Sequence, residues 1–298
     1  MAAPASIIIT TKNRKEELRA AIASALKQSV QPEVIVMDDG STDGTAEMVR
    51  AEFPFVRLEC SAESLGYIVQ RNRAARLASG EIIFSMDDDA EFSTPLVVEQ
   101  TLRDFSDARI GAVAVPYLEP NKANRLMQSP PDNTGAWITD AFIGTAHALR
   151  RDLFLALGGY REALVHQGEE SDFCVRMLEA GYVVRLGRAD SIRHWESPKR
   201  DFRRMDFYGV RNSVLFQWQN APPGWLLQGL MATTFNCLRW TLKPARLWVR
   251  FRGVCAGYRE FMRLPRKPVR AEIYRLWRQL RKQGTMSIEE VGRQVPVN

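Results

Sequence analysis

The sequence predicts an α/β fold: a mixed, mostly parallel sheet flanked by helices, followed by a basic helical extension. Three observations predict it. Short β-branched apolar runs alternate with segments whose apolar residues recur at helical spacing, the pattern of successive βαβ units. Two of these runs end in clustered aspartates, Asp38-Asp39 and Asp87-Asp88-Asp89. The charge is also divided, with a net −8 over residues 1–198 and a net +14 over residues 199–298.

The elements follow in order. Ser6–Thr11 ("SIIITT") reads as a buried strand, and Lys15–Lys27 as a helix with Leu18, Ile22, Ala25 and Leu26 at helical spacing. Val34–Met37 is a strand closed by an acidic, turn-rich loop. Thr45–Phe53 is a helix, Val56–Leu58 a strand and Ser64–Ala78 a helix. Ile82–Ser85 is a strand that runs into Asp87–Asp89. The second half is less regular. Ala141–Leu149 is a candidate strand, and Arg151–Leu157 a short helix stopped by Gly158-Gly159. Glu169–Ala180 is a helix stopped by Gly181, and Val183–Leu186 and Ser191–His194 are short strands.

Composition sets the bounds. A chain of 298 residues with 45% hydrophobic content can bury a sizeable core. Cys60, Cys174, Cys237 and Cys255 are widely spaced and form no CxxC pair. That argues against a zinc site or disulfide framework and fits a reducing compartment. The start, "MAAPASIIIT", lacks the basic and long apolar regions of a signal peptide, so the expected location is cytoplasmic.

Parallel connections place both acidic loops at the carboxyl edge of the sheet, where open α/β sheets bind ligands. Aspartates are common in solvated turns, but Asp87–Asp89 abuts a buried strand and has no Gly or Pro in the run. Clustered carboxylates beside a low-dielectric wall are unfavourable unless positive charge shares the site. A divalent cation bound to a diphosphate would supply it, since Mg²⁺ takes one or two carboxylates together with phosphate oxygens.

The stretches "SIIITTKNR" (6–14), "VIVMDDGSTDGT" (34–45), "QRNRAARLASGEIIFSMDDDAEF" (70–92), "RRDLFLALGGYRE" (150–162), "GEESDFCVRMLEAGY" (168–182) and "HWESP" (194–198) resemble, in order, an inverting family 2 glycosyltransferase of the GT-A fold. The resemblance implies transfer of a sugar from a nucleotide-diphosphate sugar to an acceptor hydroxyl, with Mg²⁺ or Mn²⁺ as cofactor. By the same resemblance, Thr11, Asp39 and Arg71 hold the nucleobase end of the donor, with Asp38 beside them. Asp87 and Asp89 fit the DxD motif, Asp87 near the ribose or diphosphate and Asp89 on the metal, with Asp88 as the variable middle residue. His194 matches a position that contributes a metal ligand in some members. Glu170 matches the catalytic base, for which the family more often uses Asp; Glu169 beside it is the other candidate. A base of this kind must be ionised, and a helix start favours that. Asp172 reads instead as an i,i+4 partner of Arg176.

Two domains are expected, a GT-A catalytic domain over 1–198 and a basic, amphipathic helical extension over 199–298. Residues 212–238 carry no charge, but Pro222, Pro223, Gln228 and Asn236 interrupt them, so a buried or interfacial helix is expected in preference to a span. Arg246–Leu264 and Arg270–Lys282 carry arginines beside Phe251, Phe261 and Trp277. Such helices either pack on the catalytic domain or lie on an anionic membrane surface. No nucleic-acid motif accompanies the charge. The expected acceptor is a glycan, lipid-linked by family habit and by the tail, at the inner face of the cell membrane. The alternatives are a non-catalytic nucleotide-sugar-binding protein and a glycoside hydrolase, which also uses paired carboxylates.

Overall fold

The computed structural model of the protein describes residues 4–195, 201–239 and 243–294. The first half runs β1 (Ala5–Thr11), α1 (Lys15–Leu26), β2 (Glu33–Asp38), α2 (Thr45–Glu52), β3 (Arg57–Cys60), α3 (Tyr67–Leu77) and β4 (Ile82–Asp87). There follow β5 (Ala90–Phe92), α4 (Val97–Arg103), β6 (Ile110–Ala114), β7 (Tyr117–Glu119), β8 (Arg125–Met127), β9 (Trp137–Thr139), β10 (Ala146–Arg150), α5 (Arg151–Ala156), α6 (Glu169–Glu179), β11 (Val183–Leu186) and β12 (Ile192–His194). The tail contributes α7 (Phe202–Asn220), α8 (Pro223–Arg239), α9 (Pro244–Phe261), α10 (Ala271–Gln283), β13 (Met286–Ser287) and α11 (Ile288–Gln294).

The main sheet has the order β13-β9-β11-β6-β10-β4-β1-β2-β3. It is parallel from β4 through β3 and mixed beyond, where β10 runs antiparallel to both β4 and β6. β1 lies between β4 and β2, third from one edge, and is buried on both faces, as an unbroken apolar run requires. Ile7 and Ile9 join the layer of Leu18 and Ile22, while Ile8 joins the layer of Ile35 and Ile68. A smaller sheet, β5-β12-β7-β8, covers the acidic end of β4.

Several elements depart from the sequence reading. The helix expected from Ser64 starts at Tyr67, because the Leu65 and Gly66 amides are bonded to Asp39 and Gly66 has φ +89°. The strand expected over Ala141–Leu149 is confined to Ala146–Arg150, which frees residues 140–145 to form a loop at the site. β5 to β9 and α4 carried no strong signal. They are three to seven residues long, and β6 ("IGAVA") is buried at every position, so neither a period of two nor of 3.6 develops.

The uncharged run divides at Pro222-Pro223. Proline lacks an N–H and fits the first turn of a helix, so α7 stops and α8 starts there. The boundary expected at 198/199 lies outside the described residues. Beyond it, the end of the tail packs into the main core. Ile273, Tyr274, Leu276, Trp277 and Leu280 of α10 are buried there, and Met286 of β13 pairs with Ile138 of β9. Trp277, expected on a face that packs or meets a membrane, is 4% exposed and takes the packing role.

Replacing Trp277 with Ala is therefore expected to destabilise the fold by about 3–5 kcal/mol. Trp248→Ala, at a position 60% exposed, should stay within about 0.5 kcal/mol. Urea unfolding of both variants checks the contrast.

Candidate active site

β4, β1 and β2 end together because their register is parallel: Thr10 lies beside Asp87, and Thr11 beside Asp38. This brings both acidic strand ends to one edge. Thr11 Oγ1 donates to Asp88 Oδ2 at 2.7 Å. Arg14, on the loop after β1, bridges Asp88 Oδ1 at 3.0 Å and Asp89 Oδ2 at 2.7 Å. Burial pushes the Asp88 carboxyl up to about 7, although Arg14 pulls it the other way. Burial also opposes ionisation of Asp89, but His194 and Arg14 outweigh it and hold that carboxyl below its usual range.

The second cluster forms around Arg71 of α3, which is 4% exposed. Its Nη2 donates to Asp87 Oδ1 at 2.6 Å and to the Gly144 carbonyl at 3.2 Å, and its Nη1 reaches Glu169 Oε1 at 3.4 Å. Its guanidinium also lies 4.9 Å from the Tyr67 ring centroid. These donors face two carboxyl groups and a backbone carbonyl inside the protein. Arg71 thus ties α3, β4 and α6 together.

Glu169 and Glu170 start α6, but their surroundings differ. Glu169 is fully buried, whereas Glu170 is half-buried. Burial raises both carboxyls above their usual range. A Cβ added at Gly144 would lie 2.7 Å from Glu170 Oε1 and 3.0 Å from Arg71 Nη1, so a larger residue there would displace one or both side chains. Asp172 pairs with Arg176 at 3.0 Å, as expected, and also bonds Arg161 and Asn220 in a buried network.

Asp38 and Asp39 lie at the end of β2. Asp38 Oδ1 accepts the Ser41 amide at 2.9 Å. Asp39 accepts from Ser64 Oγ, the Leu65 and Gly66 amides and Gln70 Nε2, at 2.6 to 3.0 Å. Burial opposes its ionisation, and these bonds hold the carboxyl below its usual range. Four donors fill the roughly four lone-pair directions of a carboxylate, so Asp39 holds the turn into α3.

Asp87, Asp89 and His194 each offer a ligand atom, all within 4.8 Å of one another. His194 Nε2 lies 3.4 Å from Asp89 Oδ1, and its Nδ1 is buried without a hydrogen-bond partner. Nδ1 faces Glu119 Oε1 at 3.9 Å, and two carboxylates with an imidazole turned toward them fit a divalent cation. The acidic edge is not short of positive charge, however. Arg14, Arg71 and His194 already neutralise it in part, because carboxylates this buried need partners before any ligand arrives. The sequence reading gave Arg14 no role; a basic residue three positions beyond the end of β1 was its only signal. Of the "HWESP" stretch, Glu196, Ser197 and Pro198 lie outside the described residues.

His147 also escaped the sequence reading. It is fully buried beneath the Gly144 loop and stacked on Phe142 at 4.0 Å. Nδ1–H donates to the Ile143 carbonyl, so Nε2 accepts from Tyr160 Oη at 2.9 Å. Burial, reinforced by Arg71, pushes its pKa down to about 3. Between the unfolded value of roughly 6.5 and that depressed value, the unfolded chain binds the extra proton. Stability from this residue is therefore present above about pH 6.5 and is lost as pH falls below it. His147→Gln should flatten the loss of urea stability between about pH 6.5 and 4.5 relative to the unsubstituted protein; parallel curves would count against it.

The Glycosyl transferase family 2 model matches residues 6–158. Among curated proteins, the chain is 26% identical over 202 residues to a glucosyl-dolichyl phosphate glucuronosyltransferase of Haloferax volcanii, covering 58% of this chain and 63% of that one. It is 37% identical over 92 residues to the succinoglycan biosynthesis protein ExoU of Rhizobium meliloti, covering 29% and 26%. The chain thus spans less than two thirds of the length of either relative. Among solved structures, it superposes on a mannosyltransferase of Pyrobaculum calidifontis in complex with GDP-Man and Mn²⁺, with TM-score 0.58, 22% identity and coverage of 95% and 80%. S. aureus TarS 1-349 gives TM-score 0.61, 17% identity and coverage of 95% and 88%. These two likenesses concern the GT-A fold alone. The family match extends from β1 through the acidic end of β4 and the Gly144 loop, over just more than half of the sequence, and the chain belongs to glycosyltransferase family 2.

Proposed function

We propose that the protein is an inverting glycosyltransferase that moves a sugar from a nucleotide-diphosphate sugar to a hydroxyl of a glycan acceptor. The observation that carries this reading is the meeting of Asp87, Asp89 and His194 at one sheet edge, with Arg71 connecting Asp87 to the Gly144 loop beside the half-buried Glu170. Thr11, Asp38 and Asp39 line the nucleoside side of that edge, with Thr11 and Asp39 acting through the loops they hold. Asp89 and His194, with Asp87 beside them, would hold Mg²⁺ or Mn²⁺. Such a cation stabilises the charge of a departing diphosphate.

Glu170 is assigned as the base that takes the acceptor's proton during direct displacement. Its half-burial leaves it accessible to an acceptor, whereas Glu169 is sealed against Arg71. Arg71 positions Asp87 and Glu169, and Gly144 keeps the space beside Glu170 open.

The acceptor reading extends to a lipid-linked glycan at the inner face of a membrane. Leu227, Met231 and Phe235 of α8 and Leu247, Trp248 and Phe251 of α9 are exposed. The two helices carry a single acidic residue, Glu260, which pairs with Arg211. Exposed aromatics with basic residues around them suit an anionic lipid surface. Of the described helices, none is long and apolar enough to cross a membrane.

Three tests follow. Glu170→Gln should leave donor affinity near its starting value while transfer falls about 10²–10⁴-fold, and Glu169→Gln should affect the rate much less; the reverse order moves the base to Glu169. Asp89→Ala should abolish both turnover and the thermal stabilisation of donor binding by Mn²⁺, whereas full turnover in excess chelator would exclude metal dependence. Phe235→Ser with Trp248→Ser should weaken co-sedimentation with phosphatidylglycerol vesicles, and binding of the unsubstituted protein should fall with salt. Equal binding by both folded proteins would remove α8 and α9 as the membrane face.

A further inference from the structure

A cleft of about 1000 Å³ lies among α6, α7, α8 and α10. One end begins at Gly168 and Ser171, the residues that flank Glu169-Glu170 in the chain. Along its other wall, α10 presents Arg275, Arg278, Arg281 and Lys282, and no acidic side chain lines it. The geometry points to this cleft as the site for an oxyanion, phosphate or carboxylate, carried by the acceptor glycan. This assignment rests on the reading of Glu170 as the base.

Two arginines lie over tryptophan rings. The Arg278 guanidinium lies 4.6 Å from the Trp225 ring centroid, and that of Arg281 lies 5.3 Å from Trp277. A cation held over an aromatic face is restrained yet keeps its N–H donors, and guanidinium donors suit a planar or tetrahedral oxyanion. Arg281 interacts electrostatically with Asp140, which does not line the cleft. Arg275, Arg278 and Lys282 have no ion pair among the described residues. A separate observation marks the cleft wall: Trp277 is 4% exposed, lines the cleft, and its indole N–H has no acceptor. Charge concentrated on the wall that leads away from the base would orient an acidic acceptor with its glycan toward Glu170.

The test is calorimetric titration of the full chain in EDTA, with inorganic pyrophosphate and separately with glucuronic acid as probes. The expected result is binding of at least one probe, weakened by salt and at least tenfold weaker in Arg275→Gln/Arg278→Gln/Lys282→Gln. Pyrophosphate alone binding supports a phosphate-linked acceptor; glucuronic acid binding supports an acidic sugar. Asp89→Ala should bind the probe as tightly as the unsubstituted protein, which separates this cleft from the metal edge. Mn²⁺ dependence of turnover tests the transferase reading independently. No binding of either probe would overturn the inference. So would equal binding by the triple variant, or an equal loss in Arg252→Gln/Arg259→Gln on α9, which would indicate diffuse attraction only. Circular dichroism of each variant confirms that it is folded.

Discussion

A guanidinium with 4% exposure cannot remain in a protein interior without compensation, and Arg71 imposes that requirement on three elements at once. Its partners come from β4 (Asp87), α6 (Glu169) and the Gly144 loop. Removing one partner of a buried pair typically costs about 3–5 kcal/mol. The site geometry and the packing of the fold are therefore one problem. Arginine is suited to it, because its fork of donors serves several acceptors in one plane and stays charged.

From that constraint the site divides into two levels. Residues that hold the edge are saturated: Asp39 by four donors, Asp172 by arginines and Asn220, His147 by Ile143 and Tyr160. Residues assigned to chemistry are less fully bonded: Glu170 is half-buried, and His194 Nδ1 makes no hydrogen bond, with Glu119 3.9 Å away. The difference is one of unsatisfied valence at a place a ligand reaches, which residue type alone does not reveal.

The tail shows the same economy. α10, β13 and α11 complete the sheet and bury Trp277, while α8 and α9 leave Phe235 and Trp248 exposed. Basic amphipathic sequence thus serves two ends within about fifty residues. One helix uses its apolar face for the core and its arginines for a cleft wall.

The sequence by itself determined the early βαβ series, the convergence of Asp38 and Asp87–Asp89 at one edge, and the family. These follow from local apolar runs and turn residues that read alike in any context. The i,i+4 pair of Asp172 and Arg176 was legible for the same reason. Only the tertiary structure decided that Arg14 neutralises the acidic edge, that Arg71 serves Asp87 and Glu169, and that Glu169 is sealed while Glu170 is not. It also decided which tail helix joins the core. Those outcomes depend on partners separated by 16 to 98 positions in the chain, and on burial. Helical spacing on α9 and α10 is similar in the sequence; what lies against each face is set by the remainder of the fold.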